Sequence, residues 1–462
     1  MSPSSTRVEP QVRGPGPTPL AHVGQSTREG AALTGVLLGV FAVIAMWWSD
    51  TAASTVQGFG PWLIAAGRIT GLVGSYLVVI EVLLMARVAP LDRLIGMDRL
   101  ALWHRRNGEY AISLLVAHAL LTIWGYAVFT HSGLIRETSS ILVSYPDTMM
   151  ATVGLGLLVA VGILSARAVR RRVRYHTWYF IHLYVYLALA LSFAHQFAVG
   201  ADFMTHPINR SFWVALYASV GLLLVTYRVA KPVRDNVRHR LRVARVTSEG
   251  PNLISIYVTG RRLEDLDVEA GQFFLWRFAT RSGWWQAHPY SLSAAPNGHW
   301  LRLTVKELGD HSGKLSSLPV GTRVTAEGPY GAFTIHRRKR RKVLLIGGGV
   351  GITPLRALFE SLPGRPGDIT MIYRAPSDDE IAFKDEISAI AHARSAKVHF
   401  LTGPRREHPE YLTPHHLRSL VPDITAHDVY VCGPHQMTTS VARTLEDLGV
   451  PRRHIHREDF EF

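Results

Sequence analysis

Histidines occur as two widely spaced pairs within long apolar segments of this 462-residue chain. His104 and His118 are 14 residues apart, and His182 and His195 are 13 apart. At about 1.5 Å per residue, each pair spans roughly 20 Å of a helix, most of the ~30 Å hydrocarbon core of a bilayer. Interface or hydrogen-bonded core histidines are the alternative. Two pairs at matching depth instead favour the imidazole ligands that two stacked haems require.

The spacing of the second pair conflicts with a straight helix that binds both haems on one face. At about 100° per residue, 14 steps return to within ~40° of the starting face, whereas 13 steps miss it by ~140°. The segment that carries His182 and His195 is therefore expected to be over- or underwound, to contain a π-bulge, or to hold its haems on different sides.

The composition indicates a membrane-spanning part followed by a soluble part in the same chain. Hydrophobic residues make up 47% of the chain and the formal net charge is +15. Residues 1–30, rich in Pro, Gly, Ser and Thr, are predicted to be disordered and show no signal-peptide pattern. Six apolar runs follow and predict a transmembrane helical bundle over residues 31–230. They lie near 31–48, 62–86, 109–130, 149–169, 177–198 and 210–229.

Arginines concentrate in alternate loops. The 87–107 loop carries Arg87, Arg93, Arg99, Arg105 and Arg106, whereas the 131–148 loop has only Arg136. The positive-inside rule then places both termini and the soluble part in the cytoplasm of a multi-pass cell-membrane protein. The basic run 336–342 is interpreted as a linker, a contact with anionic lipid or a guide for a phosphorylated cofactor. Nucleic acid is not expected as a partner, because no recognition motif accompanies the run.

After about Leu241 the pattern changes to short strands. Alternating runs separated by Gly and Pro predict an antiparallel β-barrel domain over 238–336. From Lys342, strands alternate with helical segments and predict a parallel-sheet α/β nucleotide-binding domain over 342–462. The predicted strands are 253–258, 273–276 and 301–305 in the barrel, and 343–346, 369–373, 397–401 and 429–432 in the sheet.

A candidate flavin motif ends one of the barrel strands. It consists of His288, Pro289, Tyr290 and Ser291. The Tyr290 ring can pack against an isoalloxazine, and the Ser291 hydroxyl can hydrogen-bond a ring nitrogen and so act on the reaction. Further on, Gly309, His311 and Ser312 are predicted to open a helix whose N-terminus would hold a pyrophosphate. Each pattern alone is an ordinary strand or turn, but their order favours FAD.

A glycine-rich turn between a strand and a helix is the candidate nicotinamide-nucleotide site. It comprises Gly347, Gly348, Gly349, Gly351, Thr353 and Pro354. Glycines let a pyrophosphate approach the backbone at the start of a helix. Arg374 stands where an acidic ribose-binding residue is usual. An arginine there suits a 2′-phosphate, which favours NADPH, with NADH as the alternative.

The carboxyl end of the last predicted strand carries Cys432, Gly433 and Pro434. Ligands bind at this edge of open α/β sheets, so Cys432 could act beside a nicotinamide or could simply be a small buried residue. The chain ends on Phe462, which could stack on the flavin or merely end a strand. Cys432 is the single cysteine, which excludes an intramolecular disulfide and a Cys-ligated iron–sulfur cluster within this chain.

Arg68 lies inside the second apolar run, in its predicted outer half. A buried arginine in a membrane is costly and is usually paired. It is interpreted as a partner for a haem propionate or for an anionic product, the alternative being a side chain that snorkels to the interface.

Together these motifs resemble the ferric reductase and NADPH oxidase superfamily, over roughly residues 31–462. The resemblance implies two b-type haems bound by the histidines of the third and fifth helices. It further implies FAD at His288–Ser291 and nucleotide at Gly347–Pro354 and Cys432–Pro434. Electrons would pass from NADPH through FAD and the haems to an acceptor outside.

The departures from the family concern the acceptor. Arg68 matches an oxidase residue near the outer haem. Where animal oxidases have a histidine one turn beyond the outer ligand, this chain has Thr122. The position of an inter-haem aromatic is Ala188, with Tyr184 and Tyr186 nearby. A reductase of ferric chelates or similar small oxidants is therefore expected first.

Three alternatives stay open. They are a superoxide-generating oxidase, an electron donor to a partner protein or quinone, and a non-enzymatic haem or flavin sensor. Six spans without an appended signalling domain argue against the sensor.

Overall fold

A computed structural model describes residues 25–51, 56–166, 169, 173, 175–200, 206–250, 252–281, 283–307, 312–404 and 406–460. The predicted sites Gly309, His311 and Phe462 lie outside these residues. So does the predicted disordered segment up to residue 24. The first helix begins at Gln25, inside the segment 1–30 that the sequence predicts to be disordered.

Six helices in the described part of the chain are long and apolar enough to cross a membrane, which confirms the six predicted spans. In chain order the helices are α1 (Gln25–Asp50), α2 (Phe59–Leu84), α3 (Ala89–Ile95), α4 (Met97–Phe129), α5 (Leu134–Ser144), α6 (Thr148–Ser165), α7 (Tyr175–Val199), α8 (Pro207–Val225) and α9 (Lys231–His239). The short helices α3 and α5 lie in loops. A π-helical turn, Thr226–Ala230, joins α8 to α9 and extends the last span toward the soluble part.

Glycines let α2 and α4 pack closely enough to position the first histidine pair. A Cβ on Gly67 would lie 2.6 Å from Thr122 Oγ1, and one on Gly71 would lie 2.6 Å from His118 Nδ1. Similarly, a Cβ on Gly154 of α6 would lie 2.7 Å from the carbonyl oxygen of Ala188 in α7. Small residues at helix crossings allow this approach in a bilayer, where packing rather than water exclusion drives association.

The barrel domain consists of two three-stranded antiparallel sheets, ordered β1-β2-β5 and β4-β3-β6. Isolated bridges Leu292–Leu303 and Arg242–Arg323 connect the sheets. The fully buried side chains of Ile256, Trp276 and Leu303 fill the core. The predicted barrel is thus confirmed. Its strands are β1 (Arg242–Gly250), β2 (Leu253–Thr259), β3 (Phe273–Phe278), β4 (His288–Ser291), β5 (Trp300–Lys306) and β6 (Val324–Tyr330).

The C-terminal domain has a five-stranded sheet in the order β11-β10-β7-β8-β9, with parallel pairing throughout. Strands and helices alternate, as predicted. The strands are β7 (Lys342–Gly348), β8 (Ile369–Ala375), β9 (Lys397–Thr402), β10 (His427–Pro434) and β11 (Ile455–Phe460). The helices are α10 (Ile352–Ser361), α11 (Lys384–Arg394), α12 (Pro414–Leu420) and α13 (His435–Asp447).

Two buried arginines and one partly exposed carboxylate fix the barrel against the C-terminal domain. Arg302 of β5, 2% exposed, donates to both carboxylate oxygens of Glu386 in α11, at 2.8 and 2.9 Å. Arg356 of α10 lies 2.9 Å from the same carboxylate. Although burial raises the pKa of Glu386, hydrogen bonding and charge from Arg302 and Arg356 hold it below its ordinary value. The carboxylate therefore remains ionised at neutral pH.

A second network joins the barrel to one end of the membrane domain. Glu327 of β6 pairs with Arg87, which follows α2, and lies 3.9 Å from Arg228 in the π-helical turn. Asp92 of α3 accepts a hydrogen bond from the backbone N–H of Gly331, at 3.1 Å. Burial raises the pKa of Glu327, but the Arg87 guanidinium outweighs this and holds that pKa below its usual range.

The basic run 336–342 is a hydrogen-bonded linker between the two soluble domains. Arg338 donates to the Arg340 carbonyl at 2.8 Å, and Arg340 donates to the His427 carbonyl at 3.2 Å. Lys342 pairs with Asp423. Of the three interpretations offered above, the linker fits these contacts best.

Candidate functional site

The structure brings the four candidate ligands together as two cross-helix pairs. The ring centres of His104 and His182 are 6.0 Å apart, and those of His118 and His195 are 6.4 Å apart. Metal–imidazole bonds of about 2 Å on opposite faces of one haem put the two ring centres roughly 6 Å apart. The residues therefore fit two bis-histidine haems. The four histidines contact one another only as these two pairs. No group of three or more potential metal ligands forms among the described residues.

Helix α7 excludes one explanation for its histidine spacing. It is α-helical from Tyr175 to Val199, without a π-bulge. His182 and His195 nevertheless each reach a ring on α4. Over- or underwinding of the helix and haems on different sides of it both stay predictions.

Hydrogen bonds to backbone carbonyls fix the rings of the His118–His195 pair. This pair is called outer, and the His104–His182 pair inner, after the predicted orientation. His118 Nδ1 lies 2.8 Å from the Gly67 carbonyl oxygen, and His195 Nδ1 lies 2.9 Å from that of Ser192. An N–H at Nδ1 donates to each carbonyl and leaves Nε2 as the lone-pair atom that can bind a metal. Sequence inspection did not identify Gly67 or Ser192, because a carbonyl partner carries no residue-type signal.

The inner pair has side-chain partners that sequence inspection also missed. His104 Nδ1 lies 2.8 Å from Glu81 Oε1 of α2, although not in a linear hydrogen-bond direction. His182 Nδ1 lies 3.4 Å from Ser165 Oγ, and its ring stacks on Trp178 at 5.0 Å. Glu81 could have been found, because an ionisable side chain within a predicted span is a functional candidate by default.

Arg68 and Thr122 lie beside the outer pair. Arg68 is half-buried and directly follows Gly67, the partner of His118. The Thr122 hydroxyl is buried and has no hydrogen-bond partner in the described structure. Ala188 packs against Gly154 of α6, while the side chains of Tyr184 and Tyr186 are largely exposed on the bundle surface. No aromatic from these three positions therefore lies inside the bundle.

The flavin motif forms β4, and its serine has the property expected of a cofactor ligand. Ser291 is 3% exposed, and its hydroxyl has no hydrogen-bond partner within the described residues. Buried polar atoms are rarely left unsatisfied, so a ligand group is expected there. Tyr290 pairs with Phe274, and burial raises the pKa of its phenol to about 12. The rings of His288 and Tyr290, on either side of Pro289, stand nearly parallel at 6.0 Å.

The predicted helix at Ser312 is wrong in type. The chain forms a six-residue 3₁₀ segment, Ser312–Ser317, rather than an α-helix. Its sequence, SGKLSS, contains a glycine and three serines, which are weak helix formers.

The glycine-rich turn has the predicted strand–turn–helix context. Gly347 and Gly348 end β7, a 3₁₀ turn spans Gly349–Gly351, and α10 begins at Ile352 with Thr353 and Pro354 in its first turn. Gly349 has φ of 55°, and a Cβ on it would meet no atom within 4 Å, so its face is open to a ligand. A Cβ on Gly351 would lie 2.4 Å from the Cys432 carbonyl oxygen, which only glycine permits.

Neighbouring carbonyl groups hold the Arg374 guanidinium, which its sequence context does not indicate. It donates to the carbonyl oxygens of Ala375, Gly403 and Leu401, the last at 3.0 Å. Its guanidinium lies 5.2 Å from the ring centre of Tyr411. Burial lowers the Arg374 pKa from its ordinary high value. Arg374 thus links the carboxyl ends of β8 and β9.

Cys432, Gly433 and Pro434 end β10 at the carboxyl edge, beside the glycine turn. The Cys432 side chain is fully buried in the domain core, so contact with a nicotinamide would require local movement. Phe462 lies beyond the described residues, and the preceding strand ends at Phe460, opposite Pro434.

Three family models match the chain in the order in which its domains occur. The ferric reductase like transmembrane component matches residues 70–193, the FAD-binding domain residues 238–334, and the oxidoreductase NAD-binding domain residues 345–443. The chain belongs to the ferric reductase and NADPH oxidase superfamily. The chain thus joins a membrane-spanning domain to an FAD-binding domain and an oxidoreductase NAD-binding domain.

Individual relatives match mainly the soluble module of this ferric reductase-like protein. Ferredoxin–NADP reductase B of Sorangium cellulosum is 30% identical over 189 residues, covering 37% of this chain and 77% of that protein. The flavohemoprotein of Oceanobacillus iheyensis is 29% identical over 188 residues, covering 37% and 46%. The chain thus spans about half of that flavohemoprotein. The FAD/NAD-binding domain of a Vibrio cholerae nitric oxide dioxygenase is 26% identical at a TM-score of 0.40, covering 48% of this chain and 99% of that structure.

Proposed function

We propose that the protein moves electrons from cytoplasmic NADPH, by way of FAD and two b-type haems, to an acceptor on the opposite side of the cell membrane. The observation that carries this proposal is the pair of histidine contacts, 6.0 and 6.4 Å between ring centres, in a chain that also holds a flavin and nicotinamide module. The corresponding parts are a cytoplasmic tail at 1–30, a di-haem domain at 31–230, an FAD domain at 238–336 and a nucleotide domain at 342–462.

His104 and His182 would hold the inner haem, and His118 and His195 the outer haem. Bound FAD and haem supply the conversion of a hydride into single electrons that cross the bilayer. The chain's own part is placement: Ser291 would hydrogen-bond the flavin, and the Gly349 turn would hold the nucleotide pyrophosphate. Arg68 would hold a haem propionate or an anion near the outer pair. Cys432 and Phe462 would border the nicotinamide and the flavin.

The distribution of arginine supports the orientation. Arg87 and Arg228 lie on the side of the bundle that contacts the barrel domain through Glu327. By the positive-inside rule that side is cytoplasmic, so the nucleotide site faces the cytoplasmic NADPH pool. A cysteine-accessibility experiment tests this orientation. A cysteine placed at exposed Arg136 should react with an impermeant thiol reagent from outside intact cells, and one at Arg240 only after lysis.

The terminal acceptor is proposed to be a ferric chelate or similar small oxidant. Thr122 in place of the oxidase histidine favours this over oxygen, whereas Arg68 is the feature shared with oxidases. Protein reconstituted in vesicles and given NADPH tests the choice. Anaerobic reduction of a ferric chelate at a rate that oxygen does not abolish supports the reductase. Reduction of cytochrome c that superoxide dismutase suppresses, with no chelate reduction, would establish the oxidase instead.

The preference for NADPH over NADH is tested on the same preparation. Because Arg374 offers a cation at the ribose edge of β8, kcat/KM is expected to be higher for NADPH. Equal values for the two nucleotides would contradict a role for Arg374 in recognising the 2′-phosphate.

A further inference from the structure

Glu81 is a carboxylate inside a membrane-spanning helix, and it faces the inner histidine pair. It is the only acidic residue of α2. Its side chain is 17% exposed, and Oε1 lies 2.8 Å from His104 Nδ1. Lipid offers such a charge no solvation, so a carboxylate at this depth is retained only where protein partners and a function compensate its cost.

The surroundings of Glu81 are built to hold it in this position. Asn107 of α4 donates from Nδ2 to Glu81 Oε2 at 2.6 Å and to the Leu77 carbonyl at 2.8 Å, which fixes the orientation of its amide. Gly108 provides the space, because a Cβ there would lie 2.8 Å from Glu81 Oε1. His104, Asn107 and Gly108 occupy neighbouring positions on one face of α4. These three residues of α4 thus surround the Glu81 carboxylate, which comes from α2.

At Nδ1 the other three candidate ligands face neutral groups, although the Asp147 carboxylate acts on His195 electrostatically without a contact at Nδ1. The Nδ1 atoms of His118 and His195 face the carbonyls of Gly67 and Ser192, and His182 Nδ1 faces the hydroxyl of Ser165. The inner pair therefore has one anionic partner, whereas the outer pair has none among these Nδ1 contacts. A carboxylate behind a ligating imidazole makes the ligand more basic and stabilises the more positive, oxidised metal.

We propose that Glu81 is a positioning residue that orients His104 and lowers the reduction potential of the inner haem below that of the outer haem. This inference rests on the proposed function, because it presupposes haem at both histidine pairs. A lower potential at the inner site gives electron transfer a direction, because electrons that reach this site then move outward to a site of higher potential. The asymmetry is built into helices α2 and α4 and does not depend on the identity of the final acceptor.

A spectroscopic redox titration of the full-length purified protein tests the inference without any measurement of turnover. The wild-type curve should resolve a lower-potential and a higher-potential haem component. Glu81→Gln keeps the shape of the side chain and removes its charge, so the lower component should shift upward while the higher one stays in place. Glu81→Asp, which keeps the charge, should retain most of the separation.

Glu109→Gln is the matched control. It removes the same charge from an exposed position on α4, five residues after His104, and should leave both components unchanged. A Glu81→Gln curve that superimposes on wild type overturns the inference, as does an equal shift in Glu109→Gln.

Haem content separates failure of this inference from failure of the proposed function. Loss of one haem in Glu81→Gln, with both retained in Glu81→Asp and Glu109→Gln, supports the positioning role of the carboxylate. Loss of one haem in Glu81→Asp as well as in Glu81→Gln shows a steric role and overturns the electrostatic one. Wild-type protein without haem contradicts the proposed function itself.

Discussion

Ser291 supplies a buried hydroxyl with no hydrogen-bond partner in the described structure, at the end of the strand where a flavin ring would lie. Ser291→Ala should therefore weaken FAD binding and change the flavin potential, with a loss of about 1 kcal/mol, or roughly fivefold in affinity. FAD titration followed by protein fluorescence measures this.

Ser255→Ala is the contrasting control for Ser291. Its hydroxyl is also buried in the barrel but bonds to Thr304 Oγ1 at 2.7 Å. Removing it should lower the stability of the barrel without changing the flavin potential. If the two variants bind FAD equally well, Ser291 is not a flavin ligand.

His118 lies within α4 and His131 just after its end, and the two differ in surroundings. His118 faces the His195 ring, whereas His131 is exposed just beyond the end of α4. His118→Ala should lose one haem per chain, and His131→Ala should retain both. Pyridine haemochrome assay of each purified variant checks this, and haem loss in His131→Ala alone would refute the ligand assignment.

At the scale of elements, the Arg302–Glu386 contact between β5 and α11 determines how the two soluble domains meet. Glu386→Gln would leave the buried Arg302 guanidinium poorly compensated, at a cost on the order of 1–3 kcal/mol. The variant should melt earlier and transfer hydride to bound FAD more slowly, measured by differential scanning and stopped-flow absorbance.

A pair between the same domains in which neither side chain is buried provides the comparison. Lys306 and Glu380 lie 3.3 Å apart with side chains 35% and 37% exposed. Glu386 is exposed to the same extent, but its partner Arg302 is only 2% exposed. Because Glu380→Gln leaves no buried charge without its partner, it should behave like wild type. Equal effects of the two substitutions would show that Arg302–Glu386 has no special role.

Most elements could be predicted from sequence because their signal is periodic. The six spans and the strands β2, β3, β5 and β7–β10 all follow from apolar runs or alternation. The exceptions have local causes. The segment after Gly309 was expected to be an α-helix but forms a 3₁₀ segment, since SGKLSS lacks good helix formers. The start of α1 at Gln25 was missed because its first turn is polar.

The site was only partly predictable, for a different reason. Histidine and glycine motifs show in the sequence because residue type and spacing carry them. The partners of His118 and His195 are backbone carbonyls, which any residue could supply. Glu81 and Asn107 come from two helices, and only their packing shows that they meet at His104.

At the scale of the whole molecule, two ion pairs link the three domains to one another. Arg302–Glu386 fixes the nucleotide domain on the barrel, and Arg87–Glu327 fixes the barrel on the helical bundle. Paired histidines then continue through the bundle at two depths. Each domain has a counterpart among the three family matches, and electrons would move through the domains in the reverse of their order along the chain.

The most direct test of the proposed electron path is anaerobic reduction of the purified full-length protein by NADPH, followed at the haem absorption bands after FAD reconstitution. We expect close to two bis-histidine b-type haems per chain, both reduced by NADPH without an added mediator. Fewer than two haems, or haems that dithionite reduces and NADPH does not, would contradict it.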